Sequence, residues 1–149
     1  MEGKTFSIYG GKMVPFSIDL QGRELKEIPE ECDREVRSLN VSNNKFDDFA
    51  FVQKVLAVVS IDASKNNLAD GFDKLEQLVF LSSLNISSNL FESLNGFPVI
   101  QTLKILDLSR NSLTTASELP ELPFLEELDL SFNEIEQLSL CTQPSLKVL

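Results

Sequence analysis

In the stretch Leu103-Lys-Ile-Leu-Asp-Leu-Ser-Arg-Asn-Ser-Leu113, an acid (Asp107), a hydroxyl (Ser109), a cation (Arg110) and an amide (Asn111) fall within five positions. Hydrolytic sites are assembled from such groups: a serine oxygen attacks, a base takes its proton, and cations or amides stabilise the charge that develops. A site of that kind needs one nucleophile with its own base. The chain has no histidine, the usual base. Ser109 also has counterparts in equivalent settings at Ser42, Ser64, Ser87 and Ser131. A serine that recurs in this way reads as structural, a small polar group able to bond the backbone of a turn. The expectation is a protein that is not an enzyme.

The recurrence belongs to a longer pattern. Aligned on asparagine, the segments that begin at Val36, Val58, Leu81, Leu103 and Leu125 place Asn44, Asn66, Asn89, Asn111 and Asn133 at steps of 22, 23, 22 and 22 residues. A weaker copy precedes them, Pro15 to Leu25, with Arg23 in the asparagine position, and Leu146-Lys-Val-Leu149 begins a further copy. We number these coils 0 to 5, with the truncated copy at 146–149 as a seventh. An altered terminal coil is expected of a stack, because one of its sides lacks a neighbour. Alternation of apolar residues, as in Leu106 and Leu108, puts two side chains on one face of a short strand, and a third apolar position two residues after the asparagine closes the same core. One coil cannot bury these faces alone, but stacked coils can, at the roughly 4.8 Å spacing of adjacent strands. The amide of each asparagine offers both donors and an acceptor to the backbone where the strand ends.

Before coil 0, Phe6 to Tyr9, Gly10-Gly11 and Met13 to Pro15 predict two strands around a tight turn, since paired glycines accept positive φ. Residues 1–14 are therefore expected to form an N-terminal capping hairpin and residues 15–149 the repeats. Between strands, Gly71 to Leu78 has acids early and apolar residues at 72, 75 and 78, which fits about two helical turns. Coils that contain Pro98, Pro120, Pro123 or Pro144 cannot sustain long helices.

The pattern L-x-x-L-x-L-x-x-N-x-L resembles the leucine-rich repeat family over residues 15–149, and the 22-residue spacing is most similar to its phosphatase-one-regulator-like class. The tail Leu25-Lys-Glu-Ile28-Pro29 is of a type common elsewhere in the family. The resemblance implies an α/β fold: a leucine-rich repeat solenoid with a curved parallel sheet on the concave face and turns and short 3-10 or α segments on the convex face. It also implies a non-enzymatic module that binds a protein partner on its concave face. Two further readings come with it: a regulatory or targeting subunit of a protein phosphatase, and a structural component of a cytoskeletal or ciliary assembly.

Other constellations of possible chemistry are accounted for by the repeat. Asp19, Asn40, Asp62, Asn85, Asp107 and Asp129 share one position between the two core residues, so their side chains leave the core for the inner face. Only Asp107 and Asp129 are adjacent acids. Calcium would need about six or more ligands and an acidic loop with glycine, which does not accompany the pair. The sequons Asn40-Val-Ser42 and Asn85-Ile-Ser87 are generated by the repeat itself. Cys32 and Cys141 lie in coils 0 and 5, roughly 25 Å apart at the strand spacing, beyond the reach of a disulfide. Both are expected to be buried thiols. No zinc pair, phosphate-cradling glycine loop or cofactor fingerprint is present, and no cofactor or metal is expected.

Charge limits the partners. Thirteen basic and 23 acidic residues give the 149-residue chain a net charge of −10, opposite to what a nucleic-acid binder needs. Residues 1–75 carry 10 basic and 13 acidic side chains, net −3, and residues 76–149 carry 3 and 10, net −7. The C-terminal half would steer a basic protein partner. With no signal peptide and no apolar run long enough for a bilayer, the expectation is a cytoplasmic chain without membrane contact, cytoskeleton- or cilium-associated under the third reading. An uncovered flank on coil 5 would continue into further sequence or pair with another chain.

Function is sought where coils differ. The third position of the pattern is serine at 17, 38, 60 and 83, but Ile105 and Glu127 in coils 4 and 5. Just before the asparagine stand Gly22, Asn43, Lys65, Ser88, Arg110 and Phe132. An exposed aromatic, an isoleucine and an arginine near paired acids are ingredients of an interface hot spot. Lys65, Ile105, Asp107, Arg110, Glu127, Asp129 and Phe132 are thus the candidate partner-binding residues, beside the structural ladder of Asn44, Asn66, Asn89, Asn111 and Asn133.

Overall fold

A computed structural model describes residues 4–9, 12–30, 32 and 35–147. The sheet has seven strands in sequence order: β1 (Lys4–Tyr9), β2 (Lys12–Asp19), β3 (Ser38–Asn40), β4 (Ser60–Asp62), β5 (Ser83–Asn85), β6 (Ile105–Asp107) and β7 (Glu127–Asp129). β1 pairs antiparallel with β2, and each later neighbour is parallel. Six parallel strands joined by coils of about 22 residues make a solenoid. The turn at Gly10-Gly11 and the last two residues of the expected seventh copy, Val148 and Leu149, lie outside the described residues.

β2 is long enough to serve two partners. Its residues 17–19 pair with β3, whereas Pro15 pairs with Phe6 beside a shift in the β1–β2 register between Thr5 and Phe6. A proline lacks the ladder donor and is tolerated at such an irregularity.

The three-residue strands follow from the sequence pattern. In β3, β4 and β5 the central Leu39, Ile61 and Leu84 are buried and the flanking residues half-buried. Behind the sheet the core continues through Val36, Val41, Val58, Ala63, Leu81, Ile86, Leu103 and Leu108. Its convex side is filled by rings: Phe46, Phe49, Phe51, Phe72, Phe91 and Phe97 form a continuous cluster, with centroids 4.6 Å apart for Phe72–Phe91 and 6.1 Å for Phe49–Phe91.

Two short 3-10 helices lie on that side, Ala50–Lys54 and Phe72–Gln77. The expected helical turns over 71–78 are therefore 3-10. Phe72 and Leu75, three residues apart, are its buried pair, and the three-residue period of this helix puts such positions in line. Gly71 begins it at φ 86°, a left-handed conformation that a side chain would strain. No described helix is long and apolar enough to cross a membrane.

Burial weakens along the last coil. Leu106, Leu108 and Leu113 are buried, but their counterparts Leu128, Leu130 and Ile135 are half-buried. This also corrects the expectation of two buried thiols: Cys32 is buried, whereas Cys141, in the thinly packed tail of coil 5, is exposed.

Candidate functional site

Each strand from β3 to β7 ends in a turn built from the same four residue positions. The Oδ1 of Asn40, Asp62, Asn85, Asp107 and Asp129 accepts the N–H of the serine two residues on, at 2.9–3.0 Å. The serine hydroxyl can donate to the same oxygen as well, Ser64 Oγ to Asp62 at 2.6 Å and Ser87 Oγ to Asn85 at 2.7 Å. The acidic row, expected to be a water-exposed ladder, thus also closes the turns, and Asn does so as well as Asp. Ser42, Ser64 and Ser109 are buried in these turns.

The next residue bends the chain. Asn43, Lys65, Ser88, Arg110 and Phe132 all adopt φ of 53–55°, and Gly22 in coil 0 has φ 68°. In coils 0 to 4 the bend turns this N–H toward the following coil: Lys65 donates to Ser87 O at 3.0 Å, Ser88 to Ser109 O at 2.9 Å and Arg110 to Ser131 O at 2.9 Å. A lysine, an arginine and above all a phenylalanine are unusual occupants of this left-handed region. The sequence did carry a signal, since glycine and asparagine, the residues that best tolerate it, fill the row's first two positions.

The asparagines then bridge coils. Asn89 Nδ2 donates to Ala63 O in the preceding coil at 3.0 Å and to Ile86 O and Ser87 O in its own, while its Oδ1 accepts Leu68 N–H at 3.0 Å. Asn44, Asn66, Asn111 and Asn133 repeat the arrangement. Among the described residues every buried side-chain nitrogen and oxygen has a partner.

Against this regular frame, the open face of β6 and β7 differs. The register places Ile105 beside Glu127 and Asp107 beside Asp129. These residues, with Ser131, line a cavity of about 460 Å³. Ile105 is 40% exposed and Phe132 70%. The Arg110 guanidinium lies over the Phe132 ring, 4.2 Å from its centroid. Bonds from the Ser131 hydroxyl and N–H, and then the charge of Arg110, hold the Asp129 carboxyl below the usual carboxylate range. Six of the seven candidate residues are therefore neighbours. Lys65 is not among them; it shares their left-handed row in coil 2, with the coil of Ser88 between it and Arg110.

A family model for leucine-rich repeats, in two copies, matches residues 101–142. The match covers coils 4 and 5, and the parallel register carries the same leucine-rich-repeat geometry back through coils 1 to 3. The fold is thus a leucine-rich-repeat solenoid, an architecture typical of protein–protein interaction modules and generally non-enzymatic. No curated protein matches the chain.

A second set of exposed apolar residues has no equivalent in the sequence reading. Val79 and Phe80 precede the core residue Leu81, and Phe124 precedes Leu125; they are 62%, 57% and 57% exposed. They sit at the turns that lead into the strands, off the face that carries Ile105 and Phe132. They fall between the core positions Leu78 and Leu81 and between Leu122 and Leu125, so periodicity leaves them out of the core without saying what covers them.

Proposed function

We propose that this chain is a protein-interaction module whose partner rests on the open face of β6 and β7, with Ile105, Glu127 and Phe132 as principal contacts. The observation that supports this most is Phe132: a large ring 70% exposed, on a backbone at φ 55°, where the row's other members are smaller or charged. A bulky residue in that conformation is strained, and strain of that kind is retained where something other than folding favours it. Ile105 and Glu127 support the reading because they alone replace the serine of the four preceding coils. Aromatic and arginine side chains at the centre of a patch are those that carry binding energy. The 22-residue spacing favours the phosphatase-one-regulator-like class of repeats without selecting a partner.

The test is affinity capture with the protein and with an I105S/E127S/F132G variant, each retained protein then being checked as a purified pair. Serine restores what the earlier coils carry at the first two positions, and glycine suits the left-handed backbone, so the variant should fold. Loss of the retained protein is the expected result. Equal retention by the variant, with loss in an F80S/F124S variant instead, would move the interface to the strand-entry turns and overturn the assignment.

A further inference from the structure

The open face of β6 and β7 has a chemistry that narrows its occupant. It presents two apolar groups, Ile105 and Phe132, and between them Asp107, Glu127 and Asp129. Arg110 is the counter-charge on this face, and its guanidinium is drawn over the Phe132 ring. The surrounding half of the chain, residues 76–149, carries 10 acids against 3 bases. Such a surface repels acidic segments and attracts basic ones at a distance, and it offers carboxylates as acceptors at contact.

The fold does not require this charge. Asn40 and Asn85 close their turns with the same Oδ1 bond, at 3.0 Å, that Asp107 and Asp129 make at 2.9 Å. Register pairing of Asp107 with Asp129 instead sets two like charges on adjacent strands, an arrangement that is unfavourable on its own.

On the reading of this face as the binding surface, we infer that its occupant is an extended segment of a partner protein that bears a lysine or arginine two residues from an apolar side chain. Ile105 and Asp107 are two positions apart on β6, about 6.6 Å along the strand, and side chains two apart on an extended chain have the same spacing and point the same way. The cation lies between Asp107 and Asp129, and the apolar side chain rests on Ile105.

A random dodecapeptide library displayed on phage, selected on the 149-residue protein, tests this. A D107N/D129N protein provides the background; it keeps the turn acceptors, as Asn40 and Asn85 do, and removes only charge. The inference expects enriched peptides with Lys or Arg two positions from an aliphatic or aromatic residue, synthetic copies of which bind D107N/D129N about tenfold or more weakly and lose affinity as salt rises. Enriched peptides without a basic residue that still depend on Ile105 and Phe132 would overturn the inference but leave the face as the binding surface. Peptides indifferent to both D107N/D129N and I105S/F132G would overturn both. No enrichment over the D107N/D129N background also overturns the inference.

Discussion

Asn89 holds four backbone partners in two adjacent coils with one amide. Replacing it with leucine would leave buried carbonyls and an N–H without partners, and such orphaned groups cost roughly 1–3 kcal/mol each. An N89L variant is expected to lose about 3 kcal/mol or more of stability, read as a shifted urea midpoint. Asn133, half-buried in coil 5, makes the equivalent bonds where water can replace the protein, so N133L should lose distinctly less. Equal losses would mean that the asparagines act locally and do not bridge coils in a buried core. At this scale the sequence was informative where identity recurs at a fixed step. It was silent on the second task of the Asp and Asn row, because an exposed acid and a turn acceptor look alike in letters.

Among the elements, the 3-10 segments are tied together by charge. Asp48 accepts the Ala50 N–H at 2.7 Å at the start of the first helix, and its other oxygen pairs with Lys74 Nζ of the second at 3.0 Å. The bond from the Ala50 N–H, then the bond from Lys74, holds the Asp48 carboxyl below its usual range. A carboxyl whose native pKa is depressed is protonated more readily in the unfolded chain, so its contribution is present above the unfolded value and is lost as the pH falls through the native one. Stability measured by urea titration should therefore decline below pH of about 4, and D48N should flatten part of that decline while changing little below the native pKa. An unchanged acid profile in D48N would remove Asp48 from the cause. The strands were legible in the sequence because alternation and a fixed step coincide. The second helix was legible only in place, since apolar spacing at 72, 75 and 78 fits a three-residue period as well as an α period, and the first, Ala50–Lys54, was not expected.

For the whole molecule, the decisive element of packing is the phenylalanine cluster of Phe46, Phe49, Phe51, Phe72, Phe91 and Phe97. It joins coils that the sheet links only through three-residue strands. Removing the Phe72 ring should cost about 3–5 kcal/mol, whereas removing the 57% exposed ring of Phe124 should stay within about 0.5 kcal/mol; chemical denaturation of F72A and F124A distinguishes them. Comparable losses would mean that Phe124 is covered in solution. Phe46 and Phe91 stand two residues after an asparagine, at the third apolar position of the repeat, whereas Phe49 and Phe51 belong to a tail outside the aligned pattern. Only folding brings the two sets together.

The asparagine bridges also have a direction. Phe46 N–H waits for Asn66, Leu68 for Asn89, Phe91 for Asn111 and Leu113 for Asn133. Each of coils 1 to 4 is thus completed by the amide of the one that follows it. During synthesis, when the chain emerges N-terminus first, a coil cannot lock when its own residues leave the ribosome; it locks one repeat later, and the growing end of the nascent solenoid is always one coil behind the sequence that encodes it.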